Sequence, residues 1–139
     1  MGNINKAIAE LDKVIDLEPH NVTTYCNKGY LCANRGDFDE GLKNYNYAIE
    51  IDPNYLDAYL KKASVHIELK DYHQAIKDYD KAIKISFDAP KLYYGRGWCY
   101  QEIELYNKAL EDYNLAVQLD PQHTNSIFAI NYIHEVLNK

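Results

Sequence analysis

The chain lacks the features that mark several classes of protein. No apolar run approaches the ~20 residues that a membrane-spanning helix needs, and no apolar leader opens the sequence. Only 3 of the 139 residues are cysteine, and none forms a C-x-x-C pair, so no disulfide scaffold is expected. We interpret the thiols as reduced. The protein is then expected to be cytoplasmic, or to be a fragment whose targeting segment is absent.

Basic charge is also scarce, with 15 basic residues against 21 acidic ones and a net charge of -6. No basic run is present, so neither nucleic acid nor a membrane is an expected partner. None of the five histidines has a metal-binding spacing, and His20 and His123, which follow prolines, are interpreted as solvated loop residues. No glycine-rich phosphate loop and no nucleophile–base arrangement is visible. These absences predict a non-catalytic protein without a cofactor or a metal.

One amphipathic segment is present in four copies, each beginning 34 positions after the last. The copy at 109–121, ALEDYNLAVQLDP, has apolar residues three and four apart, which predicts a helix with one apolar face. Small residues recur in phase where these copies begin, which favours close helix contacts. A fixed period of this length indicates a repeat architecture. The other copies are 7–19, 41–53 and 75–87.

A second helix completes each period. Asp37 and Asp71 are expected to cap the helices that follow them, and Gly29, Gly41 and Gly97 to allow helices to pack closely. Two sets of positions on the added helices are in phase: Tyr25, Tyr59, Tyr93 and Ile127, and Gly29, Ala63 and Gly97. The pattern predicts helices at 4–18, 22–35, 38–52, 55–69, 72–86, 91–103, 106–119 and 124–138.

With these phased positions at this period, the sequence resembles the tetratricopeptide repeat family over almost its whole length. It departs in having tyrosine where the family often has tryptophan, and Phe87 where the other copies end in proline. The resemblance implies an all-α, right-handed α-solenoid of antiparallel helix pairs, about eight helices in all. It further implies a single array over 1–139: a half repeat at 4–21, full repeats at 22–55, 56–89 and 90–123, and a lone helix at 124–138.

In this family the inner face is lined mainly by the first helix of each pair and commonly holds a peptide or partner segment. The resemblance therefore implies a protein-interaction scaffold. Rings beside lysines in such a groove would suit a peptide with apolar anchors and an acidic group. The alternative is that Tyr94 and Trp98 only pack against a neighbouring helix. The predicted groove residues are Asn27, Tyr30, Lys61, Lys91, Tyr94, Trp98, Phe128 and Tyr132.

Some members of the family grip the C-terminal carboxylate of heat-shock chaperones with lysine, asparagine and arginine. Of the aligned positions here, Cys26, Tyr30, Lys61, Lys91 and Gly95, only Lys91 has the required residue type. Shifting the alignment by one repeat matches Asn27 and makes Lys61 a weak substitute for arginine, while Asp57 has the wrong sign. A carboxylate clamp needs convergent cations, so chaperone tails are not an expected partner.

The two terminal helices lack partners within the repeat pattern. The last helix is apolar for a terminal cap, whereas repeat arrays need polar outer faces at their ends. An alternative function follows from this: a structural unit that self-assembles head to tail into a homo-oligomer. The other interpretation is that the sequence begins within an array. The residues predicted to form the self-association surfaces are Ile4, Ile8, Leu11, Ile130, Ile133 and Leu137.

Overall fold

A computed structural model describes residues 2–139, which form eight α-helices and no strand. The connections between helices are alternately four and three residues long, as expected for helix pairs joined by short turns. This arrangement confirms the all-α class. The helices are α1 (Gly2–Leu17), α2 (Val22–Asn34), α3 (Phe38–Ile51), α4 (Leu56–Glu68), α5 (Tyr72–Ile85), α6 (Pro90–Glu102), α7 (Tyr106–Leu119) and α8 (Thr124–Leu137).

Side-chain caps determine where several helices begin. The Asp37 carboxylate accepts the N–H of Glu40, and the Asp71 carboxylate accepts the N–H of Gln74, so both predicted caps are confirmed. Pro90 occupies the first turn of α6, where its missing N–H leaves no helical hydrogen bond unmade.

The three-residue turns share one backbone feature. Gly36, Lys70 and Glu104 have φ angles of 90°, 57° and 62°, and these positions are one period apart. Only glycine adopts this left-handed conformation without a steric penalty from Cβ. The repeat therefore extends to the backbone conformation, while the residue best suited to it is present only at Gly36.

The contacts divide the chain into two compact units, residues 2–65 and 66–139, with the boundary inside α4. One buried cluster of the first unit contains Cys26, Tyr45, Ala48, Ala58 and Val65. In the second unit, Ala75, Ile76 and Cys99 form one buried cluster, and Ala109, Tyr113 and Ile133 form another.

Glycine allows the pair α2–α3 to pack closely. A Cβ added to Gly29 would lie 2.6 Å from Tyr45 Cε1, and one added to Gly41 would lie 3.2 Å from the Cβ of Ala33. The contacting residues run in opposite order along the two helices, so the pair is antiparallel. A side chain at either glycine would force the helices apart.

The pair α6–α7 has the same contact two periods later. A Cβ on Gly97 would lie 2.9 Å from Tyr113 Cε1. The predicted role of Gly29, Gly41 and Gly97 in close helix packing is therefore confirmed.

A half-buried guanidinium joins three helices of the second unit. Arg96 of α6 donates to both carboxylate oxygens of Asp112 on α7, at 2.8 and 2.7 Å, and to Asp80 on α5 at 2.8 Å. The bidentate geometry fixes the orientation of α6, because two parallel hydrogen bonds allow little rotation. The repeat pattern does not predict this network.

Candidate partner-binding clefts

Four of the predicted groove residues meet in one cleft of the second unit. Tyr94 and Trp98 lie one turn apart on α6, and Phe128 and Tyr132 lie one turn apart on α8. Together they line a cleft of about 290 Å³, here called the aromatic cleft. The i, i+4 spacing on each helix places both rings on one face. The sequence prediction thus identified residues that the fold brings together.

The aromatic cleft also has polar walls. Gln101, Tyr113, Asn125 and Ala129 complete its lining. The Tyr113 hydroxyl donates to Gln101 Oε1 at 2.9 Å, which orients that side chain. The side-chain amides of Gln101 and Asn125 can each donate and accept hydrogen bonds, and neither is charged. They therefore match the hydrogen-bonding groups of a peptide backbone.

The rings of the aromatic cleft differ in how far they are buried. Phe128 is 68% exposed and Tyr132 51% exposed, which is high for large apolar side chains. Trp98 is half-buried and makes an edge-to-face contact with Tyr72 at a centroid distance of 5.7 Å. Tyr94 lies 5.7 Å from Tyr113. Tyr94 and Trp98 therefore both pack against neighbouring helices and line the cleft, so the two alternatives for them coexist.

His123 contacts one ring of the aromatic cleft, and its interpretation as a solvated loop residue is wrong. It is half-buried, its ring centroid lies 5.5 Å from that of Tyr94, and its Nδ1 accepts the backbone N–H of Ser126. His123 is thus the N-cap of α8, the helix that carries Phe128 and Tyr132.

A second cleft adjoins the first one. It also measures about 290 Å³ and is here called the lysine cleft, because Lys91 lines it. Tyr94 and Trp98 belong to both clefts and form the wall between them. The other residues lining the lysine cleft are Ile67, Tyr79 and Gly95.

The three predicted groove residues of the first unit make a different arrangement. The Lys61 ammonium lies 4.7 Å from the centroid of the Tyr30 ring and 4.0 Å from a carboxylate oxygen of Asp57. Asn27 is exposed. Because an anion and a ring already surround Lys61, it is less available to a ligand than Lys91, which makes no ion pair within residues 2–139.

The residues predicted for self-association differ in how far they are buried. Ile8 and Ile133 are buried by the chain itself, with Ile133 packed against Ala109 and Tyr113, so neither side chain is accessible to a second molecule. Ile4, Leu11 and Ile130 are half-buried. Leu137 is exposed and lines a hollow of about 440 Å³ with residues 104–108. Self-association stays a prediction that depends on the accessible side chains.

The thiols are poorly suited to reaction. All three cysteines are free and buried, and burial raises the pKa of Cys26 and of Cys99 to about 12. The Asp57 carboxylate, next to Cys26, adds to the first of these shifts. A thiol with so high a pKa supplies almost no thiolate near neutral pH.

The described residues include no group of histidine, cysteine and carboxylate side chains arranged to hold a metal ion. Among these residues, no helix combines the length and the apolar character needed to span a bilayer. The His66 Nδ1 does lie 2.6 Å from a carboxylate oxygen of Asp78, an ion pair or hydrogen bond that connects α4 to α5.

Sequence comparison identifies the repeat. A family model described as tetratricopeptide repeat matches residues 22–55 and 90–123, and a second model of that description matches residues 56–88. The chain belongs to the tetratricopeptide repeat family. The three matched segments begin at the helices α2, α4 and α6. The tetratricopeptide fold is a scaffold type that commonly serves protein–protein interaction.

Solved tetratricopeptide structures share the fold at low sequence identity. The crystal structure of MamA is 22% identical, with a TM-score of 0.87 over 99% of this chain and 80% of that one. The first tetratricopeptide domain of Spaghetti (RPAP3), bound to the HSP90 peptide SRMEEVD, is 22% identical, with a TM-score of 0.76 over 85% and 94% of the two chains. YrrB, described as having an unusual peptide-binding site, is 23% identical, with a TM-score of 0.76 over 88% and 63%. No curated protein matches the sequence significantly.

Several residues in and around the clefts are missing from the sequence prediction, and three of them are instructive. Gln101 follows Trp98 by three positions on α6, so helical spacing could have identified it. Tyr79 is in phase with the core residues Tyr45 and Tyr113, which concealed its place in the lysine cleft. Nothing in the sequence indicated that His123 contacts the cleft, because a helix cap that follows a proline turn has the same sequence pattern as an ordinary loop residue.

Proposed function

We propose that residues 66–139 bind an extended segment of a partner protein in the aromatic cleft. The observation that carries this proposal is the exposure of Phe128 and Tyr132 beside Trp98. Large exposed rings that converge from two helices are typical of interface anchors, whereas isolated exposed rings are ordinary surface.

The polar groups of the aromatic cleft favour a peptide over a purely apolar ligand. Gln101 and Asn125 can pair with backbone N–H and C=O groups, while the rings receive one or two large apolar side chains. No formally charged side chain lines this cleft, so the anchor residues of the partner should be neutral.

The printed descriptions of two neighbours agree with a peptide ligand. RPAP3 was solved with an HSP90 peptide, and YrrB is described by its peptide-binding site. At these identities the likeness gives the fold alone. We do not expect a chaperone tail to bind here, because among the clamp positions only Lys91 is a cation without a competing partner in residues 2–139.

A displayed library of random peptides, selected against the purified protein, tests the proposal. Trp98 is the sole tryptophan and lines the cleft, so its fluorescence reports whether a selected peptide binds there. We expect Phe128→Ala to weaken binding by roughly 10- to 30-fold, as for an interface anchor. Since Phe128 is exposed, the melting temperature should change little.

Phe87→Ala is the matched control. Phe87 is 72% exposed, close to the value for Phe128, and lines neither the aromatic nor the lysine cleft. The control should leave binding unchanged. If the two variants bind equally, or if peptides bind without altering Trp98 fluorescence, the aromatic cleft is not the binding site.

A further inference from the structure

The lysine cleft contains two unengaged polar groups. Within residues 2–139 the Tyr79 hydroxyl makes no hydrogen bond, and the Lys91 ammonium makes no ion pair. Both residues line the cleft together with Ile67 and Trp98. A phenol and an ammonium with no protein partner are available to an acceptor from outside.

The absence of a side chain at Gly95 allows the Tyr79 ring to lie in the lysine cleft. A Cβ on Gly95 would lie 2.6 Å from Tyr79 Cε1 and 2.5 Å from its hydroxyl oxygen. The tyrosine therefore occupies the space that any side chain at position 95 would fill. Tyr45 and Tyr113, in phase with Tyr79, lie instead against Gly29 and Gly97.

We propose that the lysine cleft is a subsite for a glutamate side chain of the partner segment, held by Tyr79 and Lys91. The methylene groups of the glutamate would lie against Ile67 and Trp98, and its carboxylate would accept from the phenol and pair with the ammonium. This inference rests on the proposed function, and it adds the chemistry and the position of one residue of the ligand.

The surroundings favour the donor role of Tyr79. Burial raises the pKa of Tyr79 to about 12, with smaller contributions from Cys99 and Asp78, so the phenol remains protonated near neutral pH. The neighbouring Asp78 carboxylate lies 2.6 Å from His66, which offsets part of its repulsion of a second carboxylate. Lys91 is the cation that lines this cleft.

A discriminating test uses one selected peptide made with glutamate, glutamine or leucine at its acidic position. We expect the glutamine peptide to bind wild-type protein about 3- to 10-fold more weakly, as for one partly exposed charged contact. Tyr79→Phe and Lys91→Gln should each reduce this difference. Tyr79→Phe removes only an unpaired hydroxyl, so folding should be unaffected. Equal binding of the glutamate and glutamine peptides, or selected peptides without an acidic residue, would overturn the proposal.

A second measurement does not depend on the aromatic cleft. N-acetyl-glutamate N-methylamide is titrated into isotope-labelled protein, and the Gly95 amide and Trp98 indole resonances are followed. We expect saturable shifts that the glutamine analogue does not produce and that persist in Phe128→Ala. In Gly95→Ala, where Tyr79 must move, the shift of the Trp98 indole should disappear. Identical shifts with both analogues would mean that the lysine cleft does not recognise charge.

The two proposals can fail separately. Peptides that lose affinity in Phe128→Ala but ignore glutamate would leave the proposed function standing and refute the subsite. Glutamate-specific shifts without any selected peptide would support the subsite and refute peptide binding in the aromatic cleft.

Discussion

The helix pairs α2–α3 and α6–α7 share one packing contact and present different surfaces. Gly29 against Tyr45 and Gly97 against Tyr113 are the same contact, displaced by two periods. The residues of α2 that are in phase with Tyr94 and Trp98 of α6 are Cys26 and Tyr30. Cys26 is buried, whereas Tyr94 lines two clefts. The glycine–tyrosine contact that sets the helix spacing is therefore the same in both pairs, while the residues at the cleft-lining positions of the first helix differ.

The buried polar positions also differ between the pairs. In α6–α7 the half-buried Arg96 pairs with the buried Asp112, while the in-phase residues of α2–α3 are Lys28 and Asn44. The Asn44 amide donates to the backbone oxygen of Glu40, and Lys28 pairs with the half-exposed Asp12 at 2.6 Å. A buried carboxylate thus carries part of the helix pairing in α6–α7, whereas the in-phase position in α2–α3 is a neutral amide.

The largest effect should come from removing the counter-ion of the buried Asp112. Arg96→Met leaves Asp112, whose side chain is 4% exposed, without its counter-ion, so we expect a loss of about 3 kcal/mol. The in-phase control Lys28→Met should cost less than about 1 kcal/mol, because Asp12 remains solvated. Urea denaturation of both variants measures the difference, and equal losses would remove this distinction between the pairs.

The penalty of Arg96→Met should also depend on pH. Burial raises the pKa of Asp112, against the opposing effect of Arg96, and losing Arg96 raises it further. A carboxyl with a raised folded-state pKa binds a proton more readily when folded, so the penalty should shrink as the pH falls from 7 towards about 4. A penalty that is constant over this range would mean that Asp112 gains another partner in the variant.

The glycine contacts give the next largest effect. Gly29→Ala places a methyl group 2.6 Å from the Tyr45 ring and 3.0 Å from the Gly41 carbonyl, whereas Gly97→Ala meets the Tyr113 ring at 2.9 Å and no backbone atom among its three nearest. We expect losses of about 2 and about 1 kcal/mol after the gain in helix propensity from alanine. Thermal unfolding compares them; a reversed order would show that the two contacts are not equivalent.

A smaller effect should separate the two tyrosines. Tyr113→Phe removes the hydrogen bond to Gln101, so we expect a loss of about 1 kcal/mol. The Tyr45 hydroxyl makes no hydrogen bond within residues 2–139, so Tyr45→Phe should be nearly neutral. Chemical denaturation distinguishes the two outcomes, and equal losses would mean that the Gln101 bond contributes nothing.

The smallest effect concerns the thiols. Burial raises the pKa of all three cysteines, but Arg35 and Lys28 oppose the shift at Cys32. Iodoacetamide at about pH 8 should therefore alkylate the folded protein slowly, beginning at Cys32. Peptide mass spectrometry identifies the modified site. Rapid labelling of Cys26 or Cys99 would show that their helices open more readily than their burial implies.

The scaffold was predictable because its residues recur. Gly29 and Gly97 occupy the same phase, as do Tyr45 and Tyr113, so each copy reinforces the interpretation of the other. Asp37 and Asp71 are caps one period apart and were identified for the same reason. A contact that a repeat protein makes several times leaves a periodic trace in its sequence.

The clefts were only partly predictable, because their residues occur once. Helical spacing identified Tyr94, Trp98, Phe128 and Tyr132 from the rows on which they lie. The place of Tyr79 depends on the missing side chain at Gly95, which no periodicity signals. The Arg96 network likewise has no full counterpart elsewhere in the chain. Two periods earlier, Asp12 and Lys28 hold the positions of Asp80 and Arg96, but Asn44 holds the position of Asp112.

The Arg96 network also bears on how cooperatively the second unit unfolds. Repeat proteins unfold as linked segments, each stabilised by its nearest neighbours. Asp80 lies in the matched repeat 56–88, and Arg96 and Asp112 lie in the repeat 90–123. Unfolding either repeat alone leaves the guanidinium or a carboxylate without its ion-pair partner. The two repeats should therefore unfold in a single transition. One arginine thereby sets the size of the cooperative unit as well as the orientation of α6.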